Sequence, residues 1–351
     1  MKVSADLLKK GAEEILKYLG ETPENAVKIA EILVRADMRG VSTHGTYLLT
    51  VISMRIKGGQ LKLPTLPRVI SDNGATAIID GMDGIGMVAG SKAIELAIEK
   101  AKQYGIGIVL IRNTNNLGSL ACYTQKAAEQ GMIAIMSCNA APAMAPWGGA
   151  EKFMGTNPIA ISIPADGVGF TADMATSVVA RGKIRKAARQ GINIPDNWAL
   201  DINGVPTTDP NKALKGTLLP MGGPKGSALA MAVDIISGLL AGSGYGPLLK
   251  SFHVLEGPTR VGASCIVIDV SRFMALGKFK ELMAEYSNSI KSLKKAEGFS
   301  EILMPGEIEY RKEQNSLKDG IELDPQLISA LDELLVQAGS NIRLGENKGG
   351  A

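Results

Sequence analysis

The 351-residue sequence is poor in aromatic residues, 4% of the chain, and almost without net charge, +3 from 38 basic and 35 acidic side chains. Nucleic-acid binding needs a basic footprint for phosphates and aromatic faces for bases, so both shortages argue against that class of partner. Cysteine is equally sparse. Cys122, Cys138 and Cys265 are odd in number, widely spaced and set in apolar runs, which excludes a disulfide framework and the paired spacings of a zinc site, so no metal is expected. Free thiols of this kind suit a reducing compartment. Residues 1–20 follow an amphipathic helical pattern carrying Lys9, Lys10, Glu13, Glu14 and Lys17, without the apolar stretch of a signal peptide. The longest apolar run, residues 228–241, is interrupted by Asp234 and too short to span a bilayer. A cytoplasmic protein with no membrane partner is the expectation.

What is present is length, glycine and alternation. The chain can bury a large core, as one big α/β domain or two lobes, and its 41 glycines imply many tight turns and close backbone approaches. Helical periodicity fills residues 5–57, then Pro64 and Pro67 break it. Strands are predicted at 77–80, 106–111 and 132–137, with helices at 88–103 and 118–130 between them, and further strands at 159–163, 170–174 and 265–270. Residues 181–214 read as a basic loop region, the tail from Phe273 as mostly helical, and residues 343–351 as a frayed end. The pattern is that of an α/β protein with a largely buried sheet. Four segments are expected: helical 1–68, a first α/β part 69–125, a cofactor-binding part 126–285 and helical 286–351.

Histidine occurs only twice, and one copy lies in Gly40-Val41-Ser42-Thr43-His44-Gly45. The preceding residues 25–37 carry apolar side chains at helical spacing, with Thr22 placed to cap the helix and Pro23 to fill its first turn. His44 therefore opens a new element among small residues that leave its ring room to reach a ligand. A neutral imidazole titrates in the range useful to a general base. His253, within Lys250-Ser251-Phe252-His253-Val254, reads as a loop residue.

Two glycine loops compete for an anion. Gly84-Ile85-Gly86-Met87-Val88-Ala89-Gly90 follows a strand and opens a helix, but its third glycine is one residue late for a Rossmann fingerprint. The following strand end, Ile111-Arg112-Asn113, also lacks the ribose-binding acid, leaving a tight turn as the plainer reading. Met221-Gly222-Gly223-Pro224-Lys225-Gly226 leads directly into a helix. It reads either as a pyrophosphate or carboxylate site built from free N–H groups and an ammonium, or as a helix start with a solvated lysine. It is not a P-loop, because Gly226 follows the lysine where that motif needs Ser or Thr.

Four stretches, in order, carry a resemblance that spans almost the whole chain: 36–45 around His44, 148–158 ending Gly155-Thr156-Asn157-Pro158, 173–177 with Gly182-Lys183, and 219–226 around Lys225. They resemble the malate, L-lactate, sulfolactate and ureidoglycolate dehydrogenases of the non-Rossmann type. The resemblance implies an unusual mixed sheet of the sulfolactate dehydrogenase-like type, a homodimer, and hydride transfer between NAD or NADP, NAD taken first, and a small 2-hydroxy or 2-oxo acid. It places Asp173, Met174 and Ala175 along the cofactor, Lys225 near its reactive end and Pro305, Gly306 and Glu307 at its far end. His44 would act as acid–base, with Asp173 either orienting its imidazole or binding cofactor, and Thr43, Thr156 and Asn157 would meet the substrate. Three positions depart from the family pattern. Asn116 stands for a second histidine and can orient but not exchange a proton. Leu48 stands beside the substrate for a carboxylate-gripping arginine, and Ile52 for a tyrosine. Arg55 or Lys225 is then left to hold an acidic substrate, and Arg181, Lys183 or Arg185 to meet an adenosine 2′-phosphate. A cyclic imine acid as substrate, or a silent dinucleotide-binding homologue, is the alternative.

Overall fold

The computed structural model describes residues 1–345; of the segment 343–351 expected to fray, 346–351 lie outside the described residues. The chain runs β1 (Lys2–Val3), α1 (Ala5–Tyr18), α2 (Pro23–Met38), a 3-10 turn (Ser42–His44), α3 (Leu48–Lys57), β2 (Arg68–Asn73), β3 (Thr76–Asp80), α4 (Gly86–Tyr104), β4 (Ile106–Thr114), α5 (Ala121–Glu129), β5 (Met132–Cys138), β6 (Ile159–Ile163) and β7 (Phe170–Met174). It continues with α6 (Arg181–Gln190), β8 (Ala199–Leu200), α7 (Pro210–Lys215), β9 (Thr217–Leu218), α8 (Pro224–Asp234) with a π-helical extension Ile235–Leu240, β10 (Val261–Asp269), α9 (Leu276–Lys291), α10 (Glu307–Asp319), β11 (Ile321–Glu322) and α11 (Pro325–Gln337). Residues 181–214, expected as loop-rich, thus contain α6, β8 and most of α7.

Seven strands form one mixed sheet in the order β2-β3-β4-β10-β5-β6-β7. Only β3 and β4 pair in parallel, through the crossover helix α4; every other neighbour in it is antiparallel. A doubly wound Rossmann sheet is mostly parallel, so this architecture is a different one. The central strands β4 and β10 are buried through most of their length, as a sheet covered on both faces requires. α4 lies against β4 and β10, and α5 against β5 and β6. The main core draws on all four sequence segments, from Val3, Leu33 and Ile79 through Ala134 and Cys265 to Leu344. A smaller core gathers Met144, Met154, Ile184, Leu218 and Ala230. Both lie beside the site described next.

Capping chemistry fixes the amino-terminal helices. Ser4 accepts from Leu7 N at α1, and Thr22 Oγ1 accepts from Asn25 N at 3.2 Å with Pro23 in the first turn of α2. The glycines before α4 serve packing, not phosphate. Gly86 N donates to Asn115 Oδ1 at 2.9 Å, Ile85 N to Thr65 Oγ1 at 2.9 Å, and a Cβ on Gly86 would stand 2.6 Å from the Asn116 carbonyl oxygen. The N–H groups that a Rossmann loop offers to pyrophosphate are already used here. Among the described residues no helix is long and apolar enough to cross a membrane; Asp234, which breaks the apolar run, accepts from Asn139 Nδ2 and Gly246 N instead.

Candidate active site

His44 ends the 3-10 turn between α2 and α3, its N–H bonded to Val41 O at 2.9 Å. The turn is pinned from below by Asp37, a buried residue of α2 whose Oδ2 accepts from Thr46 N at 2.8 Å and Thr46 Oγ1 at 2.6 Å. Gly45 lies so close to that carboxylate that a Cβ there would stand 1.8 Å from Asp37 Oδ1. Any other residue at 45 would push the histidine turn off its support. Burial raises the Asp37 pKa to about 6 against the opposing Thr46 hydrogen bonds. Asp37 was invisible as a site residue, although it lies inside the motif seven places before His44.

The imidazole of His44 is deeply set, and its Nδ1 is buried with no hydrogen-bond partner among the described residues. An unpaired polar atom of this kind costs about 1–3 kcal/mol, a cost that a ligand or a proton arriving at the ring would relieve. Burial lowers the His44 pKa below the ordinary histidine value, while the nearby Asp173 carboxylate works in the opposite sense. Asp173 acts on the ring through its field, since its Oδ2 is held by Ser119 Oγ at 2.8 Å and Ala121 N at 2.9 Å. That pair ties β7 to the start of α5 and fixes the acid beside the histidine. Gly118, next to Ser119, faces the His44 carbonyl oxygen, 3.8 Å from where its Cβ would be. Asn116 Oδ1 accepts from Gly118 N at 2.8 Å, so the group it can offer a ligand is its amide N–H.

The Lys225 loop joins the same region through the backbone. Beyond β7, Val178 N donates to Leu219 O at 2.9 Å and Met221 N to Thr176 O at 2.9 Å, which places the loop against the segment that follows Asp173, Met174 and Ala175. Gly222 and Gly223 both take left-handed backbone conformations, φ 60° and 64°, and turn the chain into α8, which starts without a side-chain cap. Lys225 is exposed in its first turn and has no ion-pair partner among the described residues. Uncapped helix N–H groups beside a free ammonium suit the pyrophosphate of a dinucleotide, and the unpartnered His44 ring suits a hydroxyl substrate, so these residues fit a nicotinamide cofactor.

Several expected contacts fall elsewhere. Leu48 and Ile52 are wholly buried in the main core; Leu48 packs where an arginine would have reached out, and so is removed from substrate contact. Asn157 is also fully buried, its Nδ2 donating to Ala230 O and its Oδ1 accepting from Ala140 N, so it shapes the backbone under the cleft and meets no ligand. Thr156 gives its carbonyl to Thr176 N and Oγ1, leaving its half-buried side chain at the cleft. Thr43 is exposed beside His44. Pro305 O accepts from Thr171 N on β7 at 2.9 Å, which places Pro305 and Gly306 along that strand. The Glu307 carboxylate is buried and engaged by Lys291, Arg311 and Met304 N, so in this structure it ties α9 to α10. Arg55 is fully buried with Nη1 and Nη2 donating to Val254 O and Gly257 O, both at 2.8 Å, so it organises residues 251–257 and does not grip substrate. In doing so it brings His253 to the site, its ring stacked on Tyr47 at 6.3 Å. His253 lies in a loop as the sequence predicts, and its approach to the site depends on this long-range clasp.

Burial raises the three thiols, Cys122 to about 11 and Cys138 and Cys265 to about 12, so none supplies a nucleophile near neutral pH.

A mixed sheet with a histidine turn and a lysine loop beside the strand-end acid of β7 defines an α/β enzyme fold other than the doubly wound Rossmann one. The chain belongs to the malate/L-lactate dehydrogenase family, whose model matches residues 3–332. It is 42% identical over 329 residues to L-sulfolactate dehydrogenase of Methanocaldococcus jannaschii, covering 94% of this chain and 95% of that one. The solved structure of sulfolactate dehydrogenase from the same organism superposes with a TM-score of 0.92, covering 97% of this chain and 98% of that one at 41% identity. Ureidoglycolate dehydrogenase (NAD(+)) of Escherichia coli K12 is 36% identical over 326 residues, 92% of this chain and 93% of the relative.

Proposed function

We propose that the protein is a nicotinamide-dependent dehydrogenase of a small 2-hydroxy acid, of malate, lactate, sulfolactate or ureidoglycolate type, in which His44 takes the hydroxyl proton. The observation that carries this reading is the buried, unpartnered His44 Nδ1 within the field of Asp173. Bound nicotinamide supplies the acceptor for the hydride. The residues of the chain do the rest. Burial keeps His44 neutral and able to accept a proton at pH 7, and the Asp173 carboxylate stabilises the imidazolium that results. Asn116 donates its amide N–H to the substrate oxygen and thereby orients the carbon that loses hydride. Lys225 and the uncapped start of α8 hold the pyrophosphate, Asp173, Met174 and Ala175 line the cofactor, and Pro305 and Gly306 border it.

The 36% identity to a relative named for NAD(+) supports NAD as the first cofactor to test. The exposed apolar row Ile235, Ile236, Leu239 and Leu240 supports a homodimer, since such a patch on a soluble protein calls for a partner. The test is a fluorescence titration with NADH and NADPH, followed by a panel of 2-hydroxy and 2-oxo acids, ureidoglycolate and cyclic imine acids read at the nicotinamide absorbance. Binding of a nucleotide with turnover of a hydroxy acid is expected. Binding without turnover of any substrate would favour a silent homologue, a reading to which the buried Leu48 lends weight. No binding of either nucleotide contradicts both.

A further inference from the structure

With Leu48 buried, Arg55 committed to backbone carbonyls and Lys57 bonded to Gln337 on α11, α3 presents no cation with which to grip an acid. The structure assigns that task to different elements. Gly182, in the first turn of α6, lies against Thr43, 3.9 Å from the Thr43 methyl to where its Cβ would be. Residues three apart share a helix face, so Arg185 stands on the face of α6 that looks toward the histidine turn. It is exposed, with no salt bridge or hydrogen bond among the described residues. His253 is brought to the same place by the Arg55 clasp and by its ring contacts with Tyr47 and Phe252, both at 6.3 Å. The charges whose fields reach His253 are those of Arg185 on α6, His44 in the 3-10 turn and Arg55 on α3. Arg185 also faces Arg181. All are cationic or can become so; the Asp173 carboxylate offsets His44, and no carboxylate acts on His253. Exposed like charges repel unless an anion is shared between them.

We propose that Arg185 and His253 together hold a second anionic group of the substrate, a carboxylate or sulfonate on the carbon next to the one oxidised, and so set the enzyme's preference for dianionic over monoanionic 2-hydroxy acids. This rests on the dehydrogenase reading above. It also removes Arg185 from the set of residues free to meet an adenosine 2′-phosphate. Burial together with these cations lowers the His253 pKa, so the free site holds His253 neutral near pH 7. An anion placed between Arg185 and His253 reverses the sign of that field and draws a proton onto the ring.

The chain contains only two histidines, so each gives a resolvable imidazole C2 proton in a nuclear magnetic resonance titration, and His253→Gln identifies which is which. The probes are succinate and butyrate, which share a four-carbon skeleton, differ by one carboxylate and lack a hydroxyl to oxidise. Succinate is expected to shift the His253 resonance and raise its titration midpoint, butyrate to do neither, and Arg185→Gln to abolish the succinate effect. A His253 resonance indifferent to succinate, equally sensitive to butyrate, or unchanged in its response by Arg185→Gln overturns the proposal. A second arm uses turnover. Loss of one charge-assisted hydrogen bond should lower the kcat/KM ratio of L-malate or sulfolactate to L-lactate roughly tenfold or more in Arg185→Gln, and an unaltered ratio also overturns it. Should no hydroxy acid be oxidised at all, the dehydrogenase reading fails, while the resonance titration still decides on the anion site.

Discussion

At the scale of single residues the account turns on His44. Its sequence context made it conspicuous: a scarce residue type after a well-capped helix, bracketed by glycines. Replacing it with alanine should lower kcat by about two to four orders of magnitude, the usual contribution of a positioned acid–base group, measured by steady-state turnover with substrate saturating. The pH profile carries a sign. Oxidation needs the neutral imidazole, and burial lowers the His44 pKa, so the acid limb of kcat/KM for oxidation should fall below pH 6.5, the ordinary value for histidine. Asp37 gives a prediction about stability. Its pKa in the folded protein, about 6, lies above the unfolded value, so the stability it contributes is full at acid pH and lost as pH rises through about 6. Asp37→Asn keeps the acceptor for Thr46 without the charge. It should raise the melting temperature relative to the parent at pH 8, with the difference vanishing near pH 4 in a thermal scan. Neither Asp37 nor His253 was legible beforehand. Asp37 looks like any acid near a helix end until Gly45 is seen lying on it, and His253 depends on Arg55, 199 residues from the carbonyl of Val254 that it clasps.

At the scale of elements, strands β6 and β7 stand where the sequence predicts them, β6 alternating half-buried and buried residues and β7 opening to solvent only at its end. Over α6 the sequence reads as part of a loop-rich stretch. Only Ile184 is fully buried along it, with Ala187 packed beside it, and the basic side chains that face solvent over the rest of the helix read by composition as loop. β2 was missed for the same reason, since it lies at the sheet edge with an exposed pattern. Two contacts made across long chain separations can be tested. Glu313 on α10 accepts from Arg35 Nε at 3.0 Å and from the buried Arg39 Nη1 at 2.8 Å on α2 and its cap. Removing one partner of a buried ion pair strands the other, so Glu313→Ala should cost roughly 3–5 kcal/mol in denaturant unfolding. Arg55→Met should free residues 251–257, seen as at least roughly tenfold faster amide hydrogen exchange there, whereas exchange in β10 stays near parent levels.

At the scale of the whole molecule, the chain order of strands was readable and their spatial order was not. β10 inserts between β4 and β5, which precede it by more than a hundred residues, and no local pattern encodes a pairing of that range. The non-Rossmann architecture was legible only through four motifs in register, whose positions relative to one another depend on that insertion. The apolar row on the π-helical extension of α8 belongs to this scale too. Leu239→Glu with Leu240→Glu should shift the protein from dimer to monomer in light scattering, and a parent protein already monomeric at working concentration would contradict the proposed assembly. The most direct test of the whole account is kcat/KM for nicotinamide-dependent oxidation of the best hydroxy acid in the panel, compared between the parent and His44→Ala with nucleotide affinity measured in both. The account predicts a loss of at least about a hundredfold with nucleotide still bound; undiminished turnover in the variant would place the proton chemistry on another residue.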